Sequence, residues 1–212
     1  MKNNNKSHLE SCEYKKIVKF LKGFSLEITP FVANKIENLS KFIKPSTTVF
    51  ITFLPGSDYR DTINTAKKIR QERLNPAPHL AARSIPSKEM LEDYVSRIVG
   101  EANVKKILIV GGAGKEQIGP YADTVSLLET GIFDKYNITD IGIAGHPEGS
   151  PDISDKEINQ SLMLKNKFSE TSDASFFIIS QFCFDAETIL NWSIRINSEG
   201  NKIPIIIGLP GV

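Results

Sequence analysis

The stretch Ser180-Gln181-Phe182-Cys183-Phe184-Asp185 follows the apolar run Phe176-Phe177-Ile178-Ile179 and opens a segment with a helical pattern. A glutamine at the end of a buried strand places a polar group at the mouth of a pocket. Other apolar runs are followed in the same way by Glu27, Thr52, His79, Gly111-Gly112-Ala113-Gly114, and His146 with Glu148. A (β/α) barrel builds its site at the carboxyl ends of parallel strands, so this pattern predicts that fold.

Apolar runs alternate regularly with helical patterns from residue 24 onward. The apolar runs predict strands at 24–29, 48–54, 76–82, 106–111, 140–145, 175–181 and 203–208. The segments after the first six predict helices at 31–43, 59–73, 87–102, 120–135, 154–170 and 185–198. Near-continuous apolar strands are typical of sheets that are buried on both faces. Strand–helix alternation at this spacing indicates a parallel sheet.

An open doubly wound sheet fits this alternation nearly as well, but polar residues at almost every strand end favour the barrel. The predicted strands number seven in a chain of 212 residues, whereas such a barrel has eight strands and usually about 250 residues. We therefore expect an α/β fold of the (β/α)8 TIM-barrel type, truncated after the seventh strand. Residues 1–23 would form an N-terminal amphipathic extension, and 24–212 the catalytic barrel domain.

The composition indicates a soluble globular protein, with 40% hydrophobic and 24% charged residues and a net charge of +1. This balance argues against a nucleic-acid or membrane partner. Two cysteines, Cys12 and Cys183, are too few for a disulfide framework or a zinc cluster. No apolar run approaches the roughly 20 residues of a membrane span. We expect a reduced, cytoplasmic protein.

Residues 8–22 predict an amphipathic helix with a basic face, because apolar residues alternate there with lysines. Gly23 is a suitable residue to end it. A solvated face is the first interpretation, and a contact for an anionic ligand is the alternative.

Glu27 stands inside the apolar stretch 24–29. A carboxylate within a buried strand is costly unless it is paired, neutral or part of a working site. Glu27 is therefore a candidate general acid. An outward-facing side chain, or a partner for an arginine in the core, explains the residue equally well.

Two of the three histidines, His79 and His146, take equivalent places at predicted strand ends. A core histidine with satisfied hydrogen bonds is the ordinary interpretation of one such residue, and the repetition weakens it. Together with Glu148 they would offer ligands for a metal ion, but their spacing is not that of a known metal motif, so we expect no metal site.

The glycine turn 111–114 allows a flat ring or a phosphate to approach the backbone closely. It has neither the lysine of a P-loop nor the spacing of a dinucleotide fingerprint, and a tight strand–helix turn is the alternative. Arg83, Lys165 and Lys167 are candidate cations for phosphates or a carboxylate, with surface solvation as the alternative for each. Cys183, between two phenylalanines, is interpreted as a packing residue.

Five short stretches, in this order, resemble the methylenetetrahydrofolate reductase family. That family has a (β/α)8 barrel and uses FAD to interconvert methylene- and methyl-tetrahydrofolate. The first stretch is similar to the family's Phe-Glu-Phe-Phe-Pro-Pro strand, and the last to its Thr-Gln-Phe-Phe-Phe-Asp. The matching stretches are Ser25-Leu26-Glu27-Ile28-Thr29-Pro30, Ala77-Pro78-His79-Leu80, His146-Pro147-Glu148, Leu164-Lys165-Asn166-Lys167, and Ser180-Gln181-Phe182-Cys183-Phe184-Asp185.

The resemblance implies roles for individual residues. Glu27 matches the acid that protonates the folate N10 or the iminium leaving nitrogen. Gln181 matches the glutamine that contacts the pterin, and Phe182 and Phe184 would join it at the substrate. The positions implied for the cofactor are Thr52, His79, Gly111, Gly112, Ala113, His146 and Lys167. The flavin would take a hydride from NADH or NADPH and pass it to the folate.

Several positions depart from the family pattern, mostly on the flavin side. The family's Arg-Gly-Asp at the fourth strand is Gly111-Gly112-Ala113 here. Loss of that carboxylate would raise the flavin potential or mean that no flavin binds. The tyrosine that stacks on the flavin is His146, and an acidic residue on the next helix is Gln160. The strand aromatics are replaced by Leu26 and Ile28.

The sequence thus predicts a reductase of one-carbon tetrahydrofolate, with FAD or with direct hydride transfer involving a nicotinamide, in either reaction direction. We expect a tetrahydrofolate derivative as the substrate and a homo-oligomer as the assembly. A flavin-less, folate-binding or regulatory homologue is the alternative. An unrelated lyase or aldolase barrel is disfavoured, since no strand-end lysine is present for a Schiff base.

Overall fold

The computed structural model describes residues 13–112 and 116–211. Its seven strands form one sheet in the order β1-β2-β3-β4-β5-β6-β7, and every neighbouring pair is parallel. The strands are β1 (Leu26–Ile28), β2 (Thr48–Ile51), β3 (Asn75–Ala81), β4 (Lys106–Val110), β5 (Asp140–Gly145), β6 (Ser175–Ser180) and β7 (Ile205–Ile206). All seven predicted strands are confirmed, and β1 and β7 are shorter than predicted.

The sheet is strongly curled, as two aromatic rings show. Phe50 lies on β2 and Phe177 on β6, four strands away. In a flat sheet, four steps of roughly 4.8 Å would separate them by about 19 Å. Their ring centroids are only 6.3 Å apart. The two side chains therefore meet inside a lumen, and the predicted (β/α)-barrel architecture is confirmed with seven strands in a curled half-barrel.

One helix precedes β1, and the others lie between consecutive strands of the sheet. Residues 13–20 are helical and are called α1. The others are α2 (Pro30–Lys35), α3 (Tyr59–Gln71), α4 (Lys88–Ala102), α5 (Thr124–Leu128), α6 (Ile132–Lys135), α7 (Asp155–Thr171) and α8 (Ala186–Ser198). Of the segment 8–22 that was predicted to be helical, residues 8–12 lie outside the described part of the chain.

Two predicted helices are wrong in their continuity. The segment 31–43 contains α2 and a separate 3-10 turn, Leu39–Lys41, because the Asn38 side chain accepts a hydrogen bond from the Ser40 N–H at 2.8 Å. The segment 120–135 is split into α5 and α6. Gly131 takes a positive φ of 66° between them, a conformation that a continuing helix does not contain.

The apolar side chains form two layers. The larger layer packs the outer face of the sheet against the helices and includes Ile51, Ile109 and Ile178. The smaller layer fills the lumen with Phe50, Ala77, Leu108 and Phe177, beside the partly buried Val110 and Ile179. Side chains alternate along a strand, so the members of the lumen layer show which other residues face inward.

Apolar side chains are exposed at both edges of the curled sheet. Leu26 on β1 and Ile206 on β7 are exposed, and neither strand has a second neighbour among the described residues. In α1 the apolar residues Tyr14, Ile17 and Val18 are exposed as well. No helix in the described ranges is both long enough and apolar enough to cross a membrane.

Candidate active site

Glu27 on β1, Thr52 directly after β2 and His79 on β3 face the lumen. Glu27 is exposed, so the buried strand that the sequence predicted around it is wrong. Glu27 is in register with Phe50 of the lumen layer, and its neighbour Ile28 packs into the outer layer. The Thr52 hydroxyl donates a hydrogen bond to Oε1 of Glu27 at 2.8 Å. The inward direction argues against the outward-facing interpretation of Glu27, and no described arginine forms an ion pair with it.

His79 is buried in the lumen and lacks a partner for one ring nitrogen. Its side chain is 6% exposed, and its ring centroid lies 6.2 Å from that of Phe50. Nε2 is buried without a hydrogen-bond partner among the described residues. Burial lowers the pKa of His79, and the negative charge of Glu27 opposes this only in part. The imidazole is therefore neutral at pH 7, and its buried Nε2 lacks a hydrogen-bond partner.

Gly111 and Gly112 form a turn after β4 that Arg83 holds in place. The backbone N–H of Arg83 donates to the Gly111 carbonyl at 3.1 Å. Its guanidinium donates to the carbonyl oxygens of both glycines. Gly112 has a φ of 96°, which only glycine adopts readily. Arg83 thus directs several of its donors to the backbone, while Ala113 and Gly114 lie outside the described residues.

His146 follows β5 and lies near Lys165 of α7. Burial, with a further contribution from the Lys165 ammonium, lowers the pKa of His146. Lys165 is only 8% exposed, whereas Lys167 on the same helix is exposed. The structure therefore places Lys165 beside His146 and leaves Lys167 at the surface.

Gln181, Phe182 and Phe184 project from the carboxyl end of β6. The backbone N–H of Gln181 donates to the Gly145 carbonyl at 2.8 Å, which ties this loop to β5. Phe182 and Phe184 are 64% and 82% exposed, and their rings meet edge to face with centroids 6.1 Å apart. Cys183 between them is buried, which confirms its interpretation as a packing residue.

Two further candidates stand apart from this group. Glu148 is exposed in the loop after β5, and Gln160 is exposed on α7. Among residues 13–112 and 116–211, no group of three or more histidine, cysteine, aspartate or glutamate side chains is placed to hold a metal ion.

Sequence comparisons show which proteins this chain is similar to. A family model described as methylenetetrahydrofolate reductase matches residues 22–212. The 5,10-methylenetetrahydrofolate reductase of Pectobacterium carotovorum subsp. carotovorum is 30% identical over 183 residues, which are 83% of this chain and 57% of that protein. The protein of the same name from Escherichia coli (strain K12) shows the same identity over the same shares.

A shorter match comes from yeast. Methylenetetrahydrofolate reductase 2 of Saccharomyces cerevisiae is 36% identical over 70 residues, which are 32% of this chain and 11% of that protein. The chain spans about half the length of the bacterial relatives it matches. Because the family match extends over nearly all of it, the chain belongs to the methylenetetrahydrofolate reductase family.

Proposed function

We propose that this chain carries a hydride-transfer reaction that interconverts 5,10-methylenetetrahydrofolate and 5-methyltetrahydrofolate. The family supports the reaction class, and relatives bear the name of this enzyme. The observation that carries the proposal is the inward-facing Glu27, bonded to Thr52 and close to the neutral His79.

Glu27 is suited to proton transfer by its hydrogen bonding. The Thr52 hydroxyl fixes Oε1, whereas Oε2 forms no hydrogen bond with a described residue. The free oxygen can hold a proton and deliver it to the nitrogen of the folate that leaves the methylene carbon. The same carboxyl group can take the proton back in the opposite direction.

The exposed group at the end of β6 is suited to a pterin. Phe182 and Phe184 offer flat apolar faces, on which an aromatic heterocycle can stack. The Gln181 side chain offers both a donor and an acceptor for the polar edge of that ring system. The pair and the amide together would orient the folate above the lumen.

The described residues also fit a flavin. His79 Nε2 lacks a partner, and a polar ring edge would satisfy it. Among the described residues, a Cβ atom placed on Gly111 would meet only the Arg83 guanidinium, at 3.7 Å, which would leave room for a flat ring. Thr52, His79, Gly111, Gly112 and His146 would hold the ring. Bound FAD would supply the hydride carrier between NADH or NADPH and the folate.

A second candidate is a folate-binding or regulatory homologue without flavin. It is favoured by Gly111-Gly112-Ala113, which offers no carboxylate where the family has an aspartate. Both candidate proteins would bind a folate, and only the reductase would convert it.

Glu27→Gln separates them. Under the reductase proposal, nicotinamide-linked turnover with added FAD falls roughly 10²- to 10⁴-fold, while the Kd for 5-methyltetrahydrofolate, measured by calorimetry, changes little. Glu129→Gln, at an exposed position, is the matched control and keeps wild-type turnover. A wild-type chain that binds 5-methyltetrahydrofolate but shows no turnover, with or without FAD, would contradict the reductase and support the second candidate.

A further inference from the structure

Gly208 lies directly against the segment that carries Gln181. It comes two residues after the end of β7, and its backbone N–H donates a hydrogen bond to the Ser180 hydroxyl at 2.9 Å. Ser180 is the last residue of β6 and is buried. A hydrogen bond to a buried hydroxyl is costly to lose, since it leaves a polar group without a partner. The chain after β7 is therefore fixed to the residue that precedes Gln181.

The contact at Gly208 leaves no space for a side chain. A Cβ atom there would lie 2.3 Å from the Ser180 carbonyl oxygen, and 3.4 Å from both the Gln181 carbonyl carbon and the Phe182 nitrogen. These atoms belong to the main chain, so they cannot swing aside as a flexible side chain would. Gly208 does not have a positive φ. The need for glycine therefore comes from close approach of two backbones rather than from backbone conformation.

The other side of the same segment is held by β5. The Gln181 N–H donates to the Gly145 carbonyl at 2.8 Å. Gly145 is itself closely packed, because a Cβ atom there would lie 2.7 Å from the side chains of Ile178 and Trp192. The backbone at Gln181 is thus fixed between Gly145 on one side and Gly208 on the other. A shift imposed at Gly208 would reach Gln181, since the neighbouring strand leaves little room to absorb it.

The alternation of side chains along β6 directs Gln181 towards the lumen. Phe177 and Ile179 belong to the lumen layer, whereas Ile178 between them belongs to the outer layer. The hydrogen bond from Gln181 to Gly145 continues the pairing of β6 with β5 past the end of the strand. Gln181 therefore follows Phe177 and Ile179 on the inward side. Its main chain sets where the side-chain amide stands above the lumen.

We propose that Gly208 and the Ser180 hydroxyl are positioning residues, which fix the main chain of Gln181 so that its amide meets the polar edge of the pterin. The inference rests on the proposed function for the identity of the substrate. Neither residue touches the substrate, and both act through Gln181. The hydrogen bond holds the two segments together, and the absence of a Cβ atom at Gly208 lets them approach.

Gly208→Ala and Ser180→Ala test the proposal in the binding of 5-methyltetrahydrofolate. The first adds a methyl group where there is no space, and the second removes the hydrogen-bond acceptor. Each should raise the Kd, measured by calorimetry, about threefold to tenfold, the effect of impairing one hydrogen bond to the ligand. Ser180→Thr keeps a hydroxyl and should restore the wild-type Kd. Gly211→Ala is the matched control, because a Cβ atom there would meet no described atom within 4 Å.

A double-mutant cycle with Gln181→Ala shows whether the effect passes through the glutamine. In the Gln181→Ala background, Gly208→Ala and Ser180→Ala should each raise the Kd by less than about twofold, since the contact that they position is already lost. A merely structural role would weaken binding equally in both backgrounds. Equal losses of affinity in the two backgrounds would overturn the inference, and so would a wild-type Kd for both single variants.

NMR spectra without ligand separate this inference from the proposed function. Ser180→Ala should speed hydrogen exchange at the Gly208 amide and shift the side-chain amide signal of Gln181, whereas Ser180→Thr and Gly211→Ala should leave both unchanged. If the wild-type chain binds no 5-methyltetrahydrofolate, the proposed function fails, and these spectra alone decide whether Gln181 is positioned in this way. An unchanged Gln181 signal in both Ser180→Ala and Gly208→Ala would overturn the inference in either case.

Discussion

The two ends of the barrel lumen differ in whether the protein itself supplies partners for the polar side chains. At the amino end, Lys106 forms an ion pair with Asp140 at 3.4 Å and lies 4.9 Å from the centre of the Phe177 ring. At the carboxyl end, His79 Nε2 is buried and has no hydrogen-bond partner among the described residues. A buried polar group that the protein satisfies has a structural role, whereas an unsatisfied one can receive its missing hydrogen bond from a bound water or a ligand.

Two glycines, one in the lumen floor and one in the turn after β4, differ in how closely they are packed. A Cβ atom at Gly142, in the floor of the lumen, would lie 2.7 Å from the Phe177 ring and 3.0 Å from Leu108. At Gly111, in the turn after β4, the nearest atom of the described residues would be 3.7 Å away. Gly145, at the carboxyl end of β5, is packed as closely as Gly142, with Ile178 and Trp192 at 2.7 Å. The close packing at Gly142 therefore supports the fold, and the room for a ligand lies at the turn after β4.

Gly142→Ala should have the larger effect on stability. We expect the free energy of unfolding to fall by about 1–3 kcal/mol, because the added methyl group overpacks the lumen floor. Gly111→Ala is the matched substitution and should change it by less than about 0.5 kcal/mol. Urea unfolding of both variants measures the difference. Equal losses in the free energy of unfolding would contradict the distinction between the closely packed Gly142 and the more open Gly111.

Lys106→Met should have a smaller effect. The ion pair with Asp140 is partly exposed, so we expect a loss of about 1 kcal/mol or less in the free energy of unfolding.

Lys165→Met should show no loss or a gain in the free energy of unfolding, since its ammonium has no described partner. Urea unfolding of both variants compares a lysine that has a described ion-pair partner with one that has none. A larger loss for Lys165→Met than for Lys106→Met would show that the protein itself satisfies Lys165.

Much of the mouth could be predicted from local sequence alone. Apolar runs identify the strands, and the polar residues after them must gather at one edge of a parallel sheet. Glu27, Thr52 and His79 were found in this way. The inward direction of Glu27 was not predictable, because it depends on which face of a three-residue strand meets the lumen.

The helical spacing of residues in α7 indicates that Lys165 is buried, although lysine is usually an exposed residue. Ile158, Leu162 and Lys165 follow one another at helical spacing, so they share one face of α7. From its residue type, a lysine is predicted to face solvent, whereas this spacing places Lys165 on the buried side of α7. The unsatisfied nitrogen of His79 and the hold of Arg83 on the glycine turn arise from tertiary contacts and have no local signal.

The most direct test of this contrast is a pair of ¹⁵N NMR spectra, one of the histidine and one of the lysine side chains, at pH 7, recorded before and after adding FAD and 5-methyltetrahydrofolate. Without ligand, we expect His79 to be neutral, since burial lowers its pKa. With ligand, the Nε2 resonance of His79 should shift as it gains a hydrogen-bond partner, and the ¹⁵N signal of the Lys106 ammonium should stay in place. Saturating binding that leaves the His79 resonance unchanged would contradict the account.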